Sequence, residues 1–164
     1  ENIIVKKLII IPAYNESSNI ERTIEAILND VPEFDYVIIN DCSKDNTLEI
    51  CQKNGFNVIS LPINLGIGGA VQTGYLYAKR HDYDIAVQVD GDGQHNPSFL
   101  NQMFEELESK QIDMVIGSRF IKNEGFQSSF ARVNCIGRNQ DTSIINDSNA
   151  IFAGLSPPKK TKCG

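Results

Sequence analysis

With 164 residues, the chain can bury a real hydrophobic core and holds one domain. Fifteen basic against twenty-one acidic residues, a net charge of −6, argue against a nucleic-acid partner held by phosphate contacts and against a polybasic membrane-surface patch. Cys42, Cys51, Cys135 and Cys163 show neither C-x-x-C nor zinc spacing, so reduced thiols in a cytosolic protein are expected, and no apolar run approaches the roughly 18 residues of a membrane span.

Leu8-Ile9-Ile10-Ile11 reads as a fully buried strand stopped by Pro12. Ser18 with Glu21 fits a capping box, and Ile20, Ile24, Ile27 and Leu28 follow at helical spacing. Tyr36 to Ile39 is a second buried strand, ending at Asn40 and Asp41. Asp45 or Asn46 opens a short helix that Gly55 closes, and Phe56 to Ile59 gives a third strand. A glycine-rich turn precedes a helix carrying Val71, Tyr75 and Ala78, and Ile85, Ala86, Val87 and Val89 form a fourth strand. Asn96 then caps a helix with Pro97 at its first position and Phe99, Leu100, Met103, Phe104 and Leu107 on one face. Met114-Val115-Ile116 is a fifth strand. From about Gly125 the periodicity fades; Ile144-Ile145 and Ala150-Ile151-Phe152 are short patches able to order, and Leu155 to Gly164 reads as linker-like. Apolar strands alternating with amphipathic helices predict an α/β fold, a mainly parallel sheet with helices on both faces.

Three polar clusters fall at the predicted C-terminal strand ends, where such sheets bind ligands: Tyr14-Asn15-Glu16, Asn40 to Ser43, and Asp90 to Gln94. The last is the most informative. Side chains two apart on an extended chain share a side, so Asp90, Asp92 and Gln94 present three oxygens to one spot beyond a buried strand. Paired carboxylates there repel unless a cation sits between them, and Mg²⁺ or Mn²⁺ shared with substrate phosphates suits the pair. A D-x-D in isolation also reads as a polar turn. An EF-hand reading fails, because its sixth position would be His95 and its twelfth Asn101. His95 reads as a turn residue or a donor to the ligands. Asn64 to Ala70 has neither the third glycine of a dinucleotide fingerprint nor the Lys-Ser/Thr of a P-loop. Its glycines leave a helix N-terminus open to a phosphate, or simply pack the helix close to the sheet.

In order along the chain, Ile11-Pro12-Ala13-Tyr14-Asn15-Glu16, Asn40 to Thr47, Asn64 to Tyr75, Asp90 to His95 and Gly117-Ser118-Arg119-Phe120 resemble the nucleotide-sugar-binding part of a family 2 inverting glycosyltransferase of GT-A fold. The likeness is greatest to the polyprenyl- or dolichyl-phosphate mannose synthase-like branch and spans about Ile3 to Ile121. The resemblance implies a donor-binding domain over 1–121 and an atypical tail over 122–164, partly ordered, with the acceptor region incomplete and the chain truncated. It also implies roles. Pro12, Ala13, Tyr14 and Glu16 would line the nucleoside pocket, Asp41 would accept from the base, and Ser43 and Gly68 would belong to the same donor site. Asp90, Asp92 and Gln94 would hold Mg²⁺ or Mn²⁺ across the diphosphate of a UDP- or GDP-sugar. Asp92 and Arg119 would be the catalytic pair, Arg119 near the leaving diphosphate or an acceptor phosphate; Arg132 offers a second such contact without a motif around it. Cys42 stands where the family usually has Gly.

A hydroxyl acceptor needs a general base, whereas a lipid phosphate is already ionised. Glu124, Asp141 and Asp147 lie in no recognisable motif, which favours a lipid phosphate at the inner face of a membrane and a cytoplasmic setting. The expected activity is metal-dependent sugar transfer. Two alternatives stay open: a donor-binding module that transfers slowly, and a nucleotidyltransferase, disfavoured because no Lys/Arg-bearing triphosphate loop follows the first strand. Oligomeric state is not legible.

Overall fold

The apolar runs become strands and the amphipathic ones helices, in the predicted order. The computed structural model describes residues 5–91, 97, 99–110, 114–118, 142–146 and 151–154. In chain order they form β1 (Lys7–Ala13), α1 (Ile20–Asp30), β2 (Asp35–Asn40), α2 (Thr47–Lys53), β3 (Val58–Ser60), α3 (Gly66–Arg80), β4 (Ile85–Gln88), α4 (Phe99–Lys110), β5 (Met114–Ser118), β6 (Thr142–Asn146) and β7 (Ile151–Gly154). One sheet takes the order β3-β2-β1-β4-β7-β5-β6. The first four strands are mutually parallel, β6 runs parallel to β5, and β7 lies antiparallel between β4 and β5.

Successive residues of β1 point to opposite faces, and both faces are dry. Ile9 and Ile11 pack with Ile20, Ile24 and Ile27 of α1, Cys51 of α2, and Leu100, Met103 and Leu107 of α4. Leu8 and Ile10 pack with Ala70 and Ala78 of α3. All four β1 residues are fully buried, each contributing about 1.5–3 kcal/mol of transfer free energy. Helices therefore cover both faces, as the continuous apolar runs predict. Small residues let α3 lie close: a Cβ on Gly74 would stand 2.2 Å from Ile10 Cγ2.

Several local expectations shift. The Ser18–Glu21 capping box does not form, because α1 starts at Ile20 with Asn19 as its cap. The Glu16 carbonyl already accepts from the N–H groups of Asn19 (3.0 Å) and Ile20 (2.9 Å), closing a turn that delays the helix by a residue. Leu28, expected on the buried stripe, is half exposed, and Thr23 takes an inward position instead. The glycines of the presumed turn form the first turn of α3, with only Gly66 left-handed at φ +73°. Gly55 behaves as expected. At φ +68° it lets its N–H reach the Gln52 carbonyl and that of Phe56 reach Cys51, a Schellman end to α2. Pro97 precedes α4, accepting from Leu100 N–H at 2.9 Å, and the expected Asn96 cap lies outside the described residues.

Candidate active site

Where β1 turns away from β4 to reach β2, the strand order reverses, and a cleft of about 240 Å³ opens at the C-terminal strand ends. The end of β1 supplies Pro12, Ala13, Tyr14 and Glu16; the end of β2 supplies Asp41. Ile67 and Ala70 come from the first turns of α3, and Asp90 and Gly91 from beyond β4. Six residues chosen from sequence thus meet in one cavity: Pro12, Ala13, Tyr14, Glu16, Asp41 and Asp90. Ser43 and Gly68 do not line it. Ser43 Oγ accepts from the Asn15 N–H at 3.0 Å, joining two loops, and Gly68 is exposed, with Ile67 and Ala70 turned to the cleft instead.

The loops after β1 and β2 are tied together by backbone N–H groups that donate to side-chain oxygens. Asn15 turns left-handed at φ +58°, and its Oδ1 accepts from Lys44 N–H at 2.8 Å. Glu16 N–H donates to Thr47 Oγ1 (2.9 Å) and Ser17 N–H to Asp45 Oδ2 (3.1 Å). Asp45 Oδ1 also accepts from Thr47 N–H (3.0 Å) and from the Thr47 hydroxyl. Burial acts to raise the Asp45 carboxyl, but these donors from Thr47 and Ser17 outweigh it and hold it at about 2. In the sequence Asp45 reads as a possible helix start. Its larger job is to set the walls of the cleft.

Asp41 is 3% exposed and is fixed at both ends. Its N–H donates to the Ala13 carbonyl (2.9 Å), its Oδ1 accepts from Leu65 N–H (2.7 Å), and its carbonyl accepts from Asn64 Nδ2 (3.1 Å). Asn64 Oδ1 in turn receives Gly66 N–H at 3.1 Å. One carboxylate oxygen therefore anchors the entry to α3, a role the sequence left unread. Cys42 follows at φ +57°, the conformation a glycine adopts without strain and other residues reach at about 1–2 kcal/mol.

Asp90 is half-buried, with Oδ1 accepting from Gln88 Nε2 at 3.1 Å. Asp92, Gln94, Arg119 and Arg132, together with Glu124, Asp141 and Asp147, lie outside the described residues. The described lining holds three carboxylates, Glu16, Asp41 and Asp90, and no basic side chain. No three of the described His, Cys, Asp or Glu side chains converge as a metal cage by themselves. All-oxygen chemistry of this kind fits a hard divalent cation whose shell is shared with a ligand's own oxygens.

A family model described as glycosyl transferase family 2 matches residues 8–149. An undecaprenyl-phosphate mannosyltransferase of Micrococcus luteus is 32% identical over 120 residues, covering 70% of this chain and 49% of that one. The chain spans about half the length of the first relatives it matches. Among solved structures, S. aureus TarS in complex with UDP-GlcNAc superposes with a TM-score of 0.60 at 23% identity, covering 76% of this chain and 38% of that one. The mannosyltransferase PcManGT from Pyrobaculum calidifontis, in complex with GDP-Man and Mn²⁺, gives 0.59 at 19% identity, with 70% and 35% covered. At these identities the likeness establishes the GT-A fold.

Proposed function

The chain belongs to glycosyl transferase family 2, and from that premise we propose that its cleft binds a nucleoside-diphosphate sugar together with Mg²⁺ or Mn²⁺, for transfer of the sugar to a polyprenyl phosphate. The observation that carries the reading is the convergence of Pro12, Ala13, Tyr14, Glu16, Asp41 and Asp90 on one cleft at the sheet's switch point. The relatives' names support the acceptor class. UDP-GlcNAc in one fold neighbour and GDP-Man in another leave both bases within the fold's reach.

In this reading each wall does one thing. Tyr14, 43% exposed at the rim, covers the nucleoside, and Asp41 accepts from a ring N–H of the base with the oxygen not given to Leu65. Asp90, joined by Asp92 and Gln94, would hold the divalent cation, which would supply positive charge to the diphosphate. Arg119 adds a fixed positive charge at the leaving group, of most use in a site shielded from water. An ionised phosphate acceptor then attacks from the opposite face without a base to activate it. The acceptor puts the reaction at the cytoplasmic face of a membrane. Among the described residues no helix is long and apolar enough to cross one.

The test is calorimetry against UDP-, GDP- and dTDP-sugars, in Mn²⁺ and in EDTA. One donor class should bind in Mn²⁺ and lose at least about tenfold in EDTA, a change of some 1.4 kcal/mol. Equal affinity in both buffers removes the cation from the reading, and no binding to any donor removes the reading itself.

A further inference from the structure

We propose that Thr23 is a positioning residue for Asp90: its hydroxyl fixes the carbonyl of the next residue, Gly91, and so the backbone on which Asp90 is carried. The inference rests on the cation-assisted donor site proposed above. Thr23 faces inward from α1 and is 5% exposed, where a hydroxyl needs a partner. Its Oγ1 lies 3.1 Å from the Asn19 carbonyl and 3.1 Å from that of Gly91, which is distant in sequence. The first contact is the ordinary bond of a threonine to its own helix and would satisfy the hydroxyl unaided. The second reaches across the fold to the acid loop.

Gly91 also lies close to β1: a Cβ there would sit 3.3 Å from the Pro12 carbonyl oxygen and 3.5 Å from Ile11 Cγ2, so there is little room for a side chain at this position. Gly91 lies past the end of β4, beyond the reach of the sheet ladder. A small cavity of about 30 Å³, walled in part by Thr23, Val89, Asp90 and Pro97, lies against the same loop. Hard cations demand narrow ligand geometry, and groups that orient metal ligands typically set affinity by 10–100-fold. A hydroxyl that holds the residue next to Asp90 belongs with those groups.

The experiment titrates Mn²⁺ into the chain at fixed UDP or GDP, for wild type, Thr23→Val and Thr23→Ser, with thermal melting in EDTA alongside. Thr23→Val keeps the shape and deletes the O–H. It should raise the Mn²⁺ concentration for half-maximal nucleotide binding by about tenfold, leaving nucleotide affinity in EDTA unchanged. Thr23→Ser keeps the O–H and should stay within about twofold of wild type. Equal shifts in both variants would mean that packing, not the hydroxyl, matters, and would overturn the proposal. So would an unshifted Mn²⁺ midpoint in Thr23→Val while wild type remains Mn²⁺-dependent. Wild type that binds without regard to Mn²⁺ overturns the cation reading and this inference together. Should Thr23→Val melt without cooperativity, Thr23→Ala, also lacking the hydroxyl, repeats the comparison under the same criteria.

Discussion

Asp41 carries two loads that substitution can separate. One oxygen accepts from Leu65 N–H at 2.7 Å, and the proposed site gives the other to the nucleobase. Asp41→Ala strands the Leu65 N–H, which should cost about 1–3 kcal/mol of folding stability, the usual penalty for a donor robbed of its acceptor. Asp41→Asn has a single oxygen, which can serve Leu65 or the base but not both. With its oxygen on Leu65 it turns an NH₂ toward the ring donor and loses a charge-assisted bond of about 1.5–3 kcal/mol, or roughly 10- to 150-fold in affinity. Its stability should fall by less than about 1 kcal/mol, because the Leu65 bond persists as a neutral one. Calorimetry with UDP and GDP reads the first load, and chemical denaturation without ligand reads the second. Wild-type nucleotide affinity in Asp41→Asn, together with wild-type stability, would refute the base contact. Wild-type stability in Asp41→Ala would refute the anchoring of α3.

Three further outcomes follow from other contacts. Gly74→Ala forces a methyl to within 2.2 Å of Ile10 Cγ2 and should destabilise the fold by about 1–3 kcal/mol, read as a lowered denaturation midpoint. The Asp45 carboxyl sits at about 2 when folded, below the ordinary aspartate value of about 4, so its contribution is complete above about pH 4 and lost as pH falls through about 2. After allowance for solvent screening that contribution is about 1 kcal/mol, and Asp45→Asn should flatten this part of the acid-denaturation curve; an unchanged curve would exclude it. Cys42→Gly relieves left-handed strain of about 1–2 kcal/mol against a glycine entropy cost of about 0.5–1, so thermal melting should show a small gain in stability.

The first half of the fold is written in periodicity. Ile9 and Ile11 against Leu8 and Ile10, or Leu100, Met103 and Leu107 a helical turn apart, declare which face each residue seeks. The polar strand ends were equally legible, because a carboxylate or amide after a buried strand can only lie at the sheet's rim. Bonds between distant residues were not. Neither the Thr23 hydroxyl under Gly91 nor the Asp41 oxygen on Leu65 leaves a trace in local spacing. The capping box failed for a local reason: a competing turn closed on Glu16 is decided by geometry that Ser18 and Glu21 do not reveal. Nor does a four-residue strand such as β7 show periodicity long enough to announce its direction or its neighbours.

That strand has a bearing on how the chain comes off the ribosome. Among the described residues β5 and β6 join the rest of the sheet through β7, which pairs Ile85 with Gly154 and Gln88 with Ile151. Synthesis therefore completes β4 roughly sixty residues before its neighbour exists, a delay of about 3–12 s at ordinary elongation rates. During that interval the apolar edge of Ile85, Ala86 and Val87 offers unpaired backbone groups to any passing strand. A chain interrupted after β4 but before residue 151 keeps that edge open, and self-association of such fragments is the expected outcome.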